Sequence, residues 1–238
     1  GNGDTNVEIH HNEIYNSVKG WTVAGNGAIV ASNFKFYNNH IYNYSNWDTT
    51  ANTYHFAGIH AFGISGAAGD AYEIYNNLLE GACGAHMTGH IYMEGNPASK
   101  WTSSGTVRIF NNVFRCDSVV YGLVRVNSGH GELYNNVIVG GSSSVGICLT
   151  VNNTINAKVI NNALSGCNQL ISINELTTFM DTATDLNYNT YACGGSFNCF
   201  NWTGVSPNEA SLATWKTLCG CDGNSKDNAS LLLDSSGS

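Results

Sequence analysis

A six-residue phrase recurs along the chain and constrains its fold more than any other feature. Residues 9–14 read IHHNEI, 36–41 FYNNHI, 74–79 IYNNLL, 109–114 IFNNVF, 133–138 LYNNVI and 159–164 VINNAL. A degenerate seventh copy, LNYNTY, spans 186–191. The Asn at the fourth position falls at 12, 39, 77, 112, 136, 162 and 189, giving steps of 27, 38, 35, 24, 26 and 27 residues. Short strands at a period in the twenties, with longer insertions, signal a solenoid whose rungs bury a continuous core by stacking.

Each rung is expected to hold three short strands, with the phrase covering the second strand, a tight turn and the third strand. Side chains alternate with period two. Ile9, Phe36, Ile74, Ile109, Leu133, Val159 and Leu186 then form one buried stack. Ile14, Ile41, Leu79, Phe114, Ile138, Leu164 and Tyr191 form another. The amides of Asn39, Asn77, Asn112, Asn136 and Asn162 are expected to point inward and bond their neighbours in adjacent rungs. Each buried polar group left unpaired costs about 1–3 kcal/mol, so the role of this ladder is structural. One outward column reads Glu8, Lys35, Glu73, Arg108, Glu132, Lys158 and Asp185, changing sign at every rung. Arg108 and Lys158 are therefore read as structural. The next outward column, His10, Tyr37, Tyr75, Phe110, Tyr134 and Ile160, is mostly aromatic and is expected to stack on itself.

The phrase resembles the repeat of right-handed parallel β-helices of the pectate-lyase-like superfamily, over roughly residues 5–192. The resemblance implies an all-β fold: a right-handed single-stranded parallel β-helix of about seven rungs. It does not imply an activity, because that fold hosts lyases, glycosidases, phage tailspikes and inert surface proteins. We divide the chain into a β-helix over 1–192 and a C-terminal loop, helix and tail over 193–238 that pack on the same domain.

Only 11% of residues are charged and 42% are hydrophobic, a composition unlike that of a disordered chain. The net charge of −8 argues against nucleic acid and anionic lipid as partners. No signal peptide and no apolar run of membrane-spanning length is present, and the chain reads as a mature or excised segment. The eight cysteines, in a chain with no zinc-finger spacing, suggest disulfides and an extracellular or cell-surface location. Cys83 with Cys116, Cys167 with Cys193, and Cys199 with Cys219 or Cys221 are the candidate pairs. Cys148 is expected to point outward, free or paired between molecules. Asn43, Asn152, Asn201 and Asn228 head glycosylation sequons, which arise by chance in so Asn-rich a chain.

The first strand of each rung is assigned to 29–32, 59–62, 91–94, 124–127, 147–150 and 171–174. Its outward residues form two columns: Val30, His60, Tyr92, Arg125, Cys148, Ser172, and Ser32, Phe62, Glu94, Asn127, Thr150, Asn174. Loops at about 43–56 and 95–106 flank this face and carry Tyr44, Trp47, Tyr54, His55, Lys100 and Trp101. Ionisable groups, aromatics and long loops converge only here. In β-helix enzymes that act on glycans the groove commonly lies on such a face, so the resemblance points the same way. Lyase chemistry needs a base and a cation. His60 or Tyr92 with Arg125 would supply them, helped by Lys100 or His90 from loops. Trp47, Tyr54, Phe62, Glu94, Trp101 and Asn127 are the candidate glycan-binding residues. An inverting hydrolase needs two carboxylates about 6.5–9.5 Å apart, and Glu94 has no acidic partner. The stretch FAGIH at 56–60 also departs from the Asp-rich motif of β-helix hydrolases. A lyase is thus the favoured enzyme, if there is one. No zinc ligand set is visible and no cofactor is expected. Calcium, which some lyases of the superfamily hold with clustered acidic residues, finds only Glu94 on this face.

Downstream of the repeat, Ser206-Pro207-Asn208-Glu209 has the form of a capping box. It predicts a helix running to about Cys219 and stopping at Gly220. Leu212, Trp215 and Leu218 are expected on one helix face, covering the C-terminal end of the solenoid. No such cap precedes Val7, so another domain or another copy is expected to cover that end. A structural or surface protein that assembles end to end is therefore the leading expectation. A polysaccharide lyase or glycan-binding protein is the alternative.

Overall fold

The computed structural model describes residues 6–24, 33–44, 55–64, 71–81, 87–95, 105–116, 122–141, 146–174, 177–193 and 198–228. Its strands pair in register, rung on rung, as three parallel ladders. The first-strand ladder holds Trp21–Ala24, Ala57–Ile64, Gly89–Gly95, the front of Gly122–Tyr134, Ile147–Thr154, Gln169–Ile173 and Phe200–Trp202. The second-strand ladder holds Glu8–His10, Phe34–Tyr37, Ala71–Tyr75, Thr106–Phe110, the end of Gly122–Tyr134, Lys158–Ile160 and Leu186–Asn187. The third-strand ladder holds Glu13–Tyr15, His40–Tyr42, Leu78–Glu80, Val113–Cys116, Val137–Gly140, Ala163–Ser165, Thr190–Ala192 and Lys226–Asp227. The arrangement is consistent with a parallel β-solenoid.

Both apolar stacks form. Phe36, Ile109, Leu133, Val159 and Leu186 are at most 1% exposed, as are Ile41, Leu79, Phe114, Ile138, Leu164 and Tyr191. Each such side chain contributes about 1.5–3 kcal/mol by leaving water, so the stacks supply much of the stability. Ile9 and Ile14, in the first described rung, are only half-buried.

The two asparagines of each phrase serve different needs. The first sits in the left-handed region, at φ between 54° and 57° for Asn38, Asn76, Asn111, Asn135 and Asn161. Asn tolerates that conformation better than other side chains that carry a Cβ. The second turns inward. Asn39, Asn77, Asn112 and Asn136 each donate Nδ2–H to the next Asn Oδ1, at 3.0, 3.0, 3.1 and 2.9 Å. Each of these amides also reaches a backbone carbonyl of the preceding rung, as from Asn112 to Ile74 at 2.8 Å. The ladder continues through Asn162 to Asn189, and Asn189 donates to Asp222 Oδ1 at 3.2 Å.

The outer columns are also self-satisfied. Arg108 bridges Glu73 at 3.4 Å and Glu132 at 2.8 Å, while Lys35 meets Glu8 and Lys158 meets Glu132. Asp185 leaves the alternation: it is buried at the end of helix α1 (Thr182–Asp185), where Oδ2 accepts from the Asp181 amide. The aromatic rings stack on one another. Centroids lie 4.8 Å apart for His10 and Tyr37, and 4.9 Å apart for Tyr37–Tyr75, Tyr75–Phe110 and Phe110–Tyr134.

The C-terminal end is covered differently from expectation. Ser206–Glu209 is a strand, antiparallel to Phe200–Trp202, and not the start of a helix. Pairing on the exposed edge of the last first strand wins over the local capping signal. Helix α2 is Leu212–Cys219, capped by Ser211 at its start and by Gly220, in the left-handed region, at its end. Leu212 and Trp215 face the core, but Leu218 is 49% exposed. Trp215 is fully buried and stacks on Phe200.

The disulfides correct the expected pairing. Cys148 bonds Cys167, Cys193 bonds Cys199, and Cys219 bonds Cys221. Cys167 is therefore not paired with Cys193, nor Cys199 with Cys219 or Cys221. Cys116 is disulfide-bonded, and Cys83 lies outside the described residues. Cys148 is not outward. His90, Leu123, Cys148 and Leu170 follow one another in register at the start of the first strand, and all are 0% exposed. Simple alternation fails there, because Cys148, Leu149, Thr150 and Val151 are buried in succession.

Candidate functional site

The first-strand ladder brings together His60, Tyr92 and Arg125. The register pairs His60 with Tyr92, and Tyr92 with Arg125. It next pairs Arg125 with Thr150, and Thr150 with Ser172. Thr150, not Cys148, therefore continues this column, and Asn152, not Thr150, follows Asn127 in the neighbouring one. At the other end Thr22 and Ala24 pair with His60 and Phe62. They take the places expected of Val30 and Ser32, which lie outside the described residues, as do Trp47, Tyr54, Lys100 and Trp101.

These side chains are engaged with one another. The rings of His60 and Tyr92 stack with centroids 5.3 Å apart, and the Arg125 guanidinium carbon lies 4.9 Å from the Tyr92 ring centre. Such a cation over an aromatic face contributes about 0.5–2 kcal/mol. His60 Nε2 lies 3.3 Å from Glu94 Oε2. Asn127 donates to the Tyr92 hydroxyl at 3.1 Å, and Asn152 donates to Asn127 Oδ1 at 3.1 Å. Phe62 tilts against His60, and His55 packs edge-on to His60 and tilted against Tyr92. His55 marks a contribution that the strand pattern does not reveal, because it precedes the strand at φ 51°.

Burial separates this site from an open groove. His60 is 3% exposed and Tyr92 5%, while Arg125 and Glu94 are half-buried. Burial lowers the His60 pKa; the bond to Glu94 raises it, and the charge of Lys19 lowers it further. The Tyr92 hydroxyl is raised, first by burial and then by Glu94, with Arg125 and Asn127 acting against them. With Nε2–H given to Glu94, a neutral His60 leaves Nδ1 as the free base. Nδ1 is buried and has no hydrogen-bond partner among the described residues. The arrangement holds a base, a cation and a carboxylate within one cluster, but the base faces protein.

His90 is not a loop residue that could reach this cluster. It lies within strand Gly89–Gly95, where Nε2–H donates to the Arg115 carbonyl at 2.9 Å and Nδ1 accepts from the Tyr44 hydroxyl. Burial lowers its pKa to about 3, against the opposing pull of the Arg115 carbonyl. Among the described residues no group of three or more His, Cys, Asp or Glu side chains converges as a metal site. No described helix is long and apolar enough to cross a membrane. No family model, no curated protein and no solved structure matches the chain.

Proposed function

We propose that this chain is an extracellular structural or surface protein. In this reading it is a right-handed single-stranded parallel β-helix of about seven rungs, of the pectate-lyase-like kind, with residues 193–238 packed on the same domain. The observation that carries the reading is that the column richest in chemistry is engaged mostly with itself. His60, Tyr92, Arg125, Glu94 and Asn127 bond and stack with each other, as the asparagine, charge and aromatic columns do. A catalyst needs its base turned toward substrate; a rigid scaffold needs each rung locked to the next. The disulfides agree with an oxidising, extracellular setting.

Self-association end to end belongs to the same proposal. Among the described residues, Glu8–His10, Glu13–Tyr15 and Trp21–Ala24 pair on one side only. At the far end α2 and the Ser206–Glu209 hairpin cover much of the core, and the exposed pair Lys226–Asp227 is the last third-strand edge. Unpaired edges recruit strands. Light scattering of the purified protein with negative-stain electron microscopy tests this part. Regular end-to-end stacks support it, and dispersed monomers under every near-native condition exclude it.

A second reading is a glycan-binding protein or polysaccharide lyase that uses the same face. It is favoured by one observation: Nδ1 of His60 and Oγ1 of Thr150 are both buried and unpartnered. Such atoms cost stability and are often kept for function.

A further inference from the structure

His10 begins the aromatic column and His11 follows it at the turn, and both rings touch Tyr37. His10 lies flat on Tyr37, with centroids 4.8 Å apart and planes 15° from parallel. His11 stands nearly perpendicular to His10, at 86°, and its Nε2 lies 3.4 Å from the Asn38 side-chain nitrogen. The two Nδ1 atoms share one hydrogen bond at 2.8 Å on an exposed surface, so a metal ion would take the place of that proton.

His11 is an exception to its own column. It adopts φ 56° at the turn position where Asn38, Asn76, Asn111, Asn135 and Asn161 stand in five other rungs and Tyr188, at φ 57°, in the last. Asparagine visits the left-handed region routinely, because its short polar side chain bonds locally, and five rungs use it. A second imidazole here is therefore not demanded by the turn.

We propose that His10 and His11 form a bidentate site for a divalent transition-metal ion of the Cu2+ or Ni2+ class. Imidazole nitrogens bind such ions at about 2.0–2.1 Å, so nitrogens 2.8 Å apart subtend roughly 85° at the metal. That angle suits neighbouring corners of a square plane or octahedron, the geometry of Cu2+ and Ni2+ with nitrogen and oxygen ligands. A tetrahedral zinc ion would need these nitrogens about 3.3 Å apart, so both rings would have to move. Water completes the coordination. Metal at Nδ1 places the His11 proton on Nε2, with no net proton released. The Asn38 amide, turned to present Oδ1, then accepts a hydrogen bond from that N–H and fixes the ring. A histidine ligand usually has its second nitrogen held in this way. The proposal goes beyond the scaffold reading and does not depend on it.

The test uses the full chain, titrated with Cu2+ or Ni2+ alone, followed by calorimetry and by electron paramagnetic resonance of the copper form. His11→Asn installs the residue that five other rungs carry, and His10→Phe keeps the stack on Tyr37; circular dichroism checks that both fold. The expected result is one site with two imidazole nitrogens on copper. Either variant should weaken it more than about tenfold, since losing even an outer-shell partner costs that much, and should reduce the nitrogen count to one. Unchanged affinity or an unchanged copper spectrum in either variant would overturn the proposal. So would a wild type that binds no more metal than the double variant.

Discussion

The indole Nε1–H of Trp215 donates to Oδ2 of Asp222 at 2.7 Å, inside the protein. The same carboxylate accepts from Tyr191 OH, Asn189 Nδ2 and the Ser225 hydroxyl, so it ends the asparagine ladder and holds the cap at once. Asp222→Ala orphans four buried donors, each costing about 1–3 kcal/mol when unpaired. Relaxation recovers part of this, and urea unfolding should report a loss of about 4 kcal/mol or more. Asp222→Asn should also destabilise, because each carboxylate oxygen accepts from two donors and the amide nitrogen that replaces one of them accepts from neither.

Acid should destabilise the fold through His90. Its pKa falls to about 3 in the folded chain from 6.5, so below 6.5 the unfolded state binds the proton first. The stability His90 protects is fully present above about pH 6.5 and is lost at about 1.4 kcal/mol per pH unit toward pH 3. His60, also lowered, acts in the same direction. The Asp222 carboxyl, raised by burial, acts in the opposite one. His90→Gln keeps a donor for Arg115 and an acceptor for Tyr44 but does not titrate. Unfolding free energies measured from pH 7 to 4 should therefore fall less steeply in this variant than in the wild type.

Position along the ladder should set the cost of losing an asparagine. Asn112 is 1% exposed, accepts from Asn77 and donates to Ile74, Phe110 and Asn136. Asn12 is exposed and stands in the first described rung. Asn112→Ala should cost about 3 kcal/mol or more, and Asn12→Ala less than about 1 kcal/mol. Chemical denaturation of the two variants side by side measures the difference.

The Cys148–Cys167 bond joins strand Ile147–Thr154 to the segment before Gln169–Ile173, with a sequence separation of 19. Replacing both cysteines by alanine should lower stability by about 3 kcal/mol. Thermal unfolding under non-reducing conditions checks this, and a reductant should move the wild type toward the variant.

The parts of the fold legible in the sequence are those that repeat. Alternation in Phe34–Tyr37 or Thr106–Phe110 fixes which side chains enter the core, and the Asn pair fixes the turn, so two ladders and four columns could be read directly. The first strand is less legible within Ile147–Thr154. Cys148, Leu149 and Thr150 are all buried, so alternation there gives no phase, and the register was displaced by two residues. The strand at Trp21–Ala24 does not stand out in the sequence, because 29–32 offers an equally β-compatible run. Ser206–Glu209 carries a sound local helix signal that a long-range edge pairing overrides. At the candidate site the column His60–Tyr92–Arg125 was legible from spacing alone. Its burial was not, because packing of His55 onto it depends on a segment outside the repeat.

The central claim is that the His60–Tyr92–Arg125 face locks rungs together and does not turn over substrate. The most direct measurement is a panel of acidic and neutral polysaccharides, assayed for cleavage with wild type, His60→Ala and Arg125→Ala, alongside the unfolding free energy of each. The scaffold account predicts no cleavage by any of the three and a loss of stability in both variants. Wild-type cleavage of any member that disappears in folded His60→Ala or Arg125→Ala would contradict it.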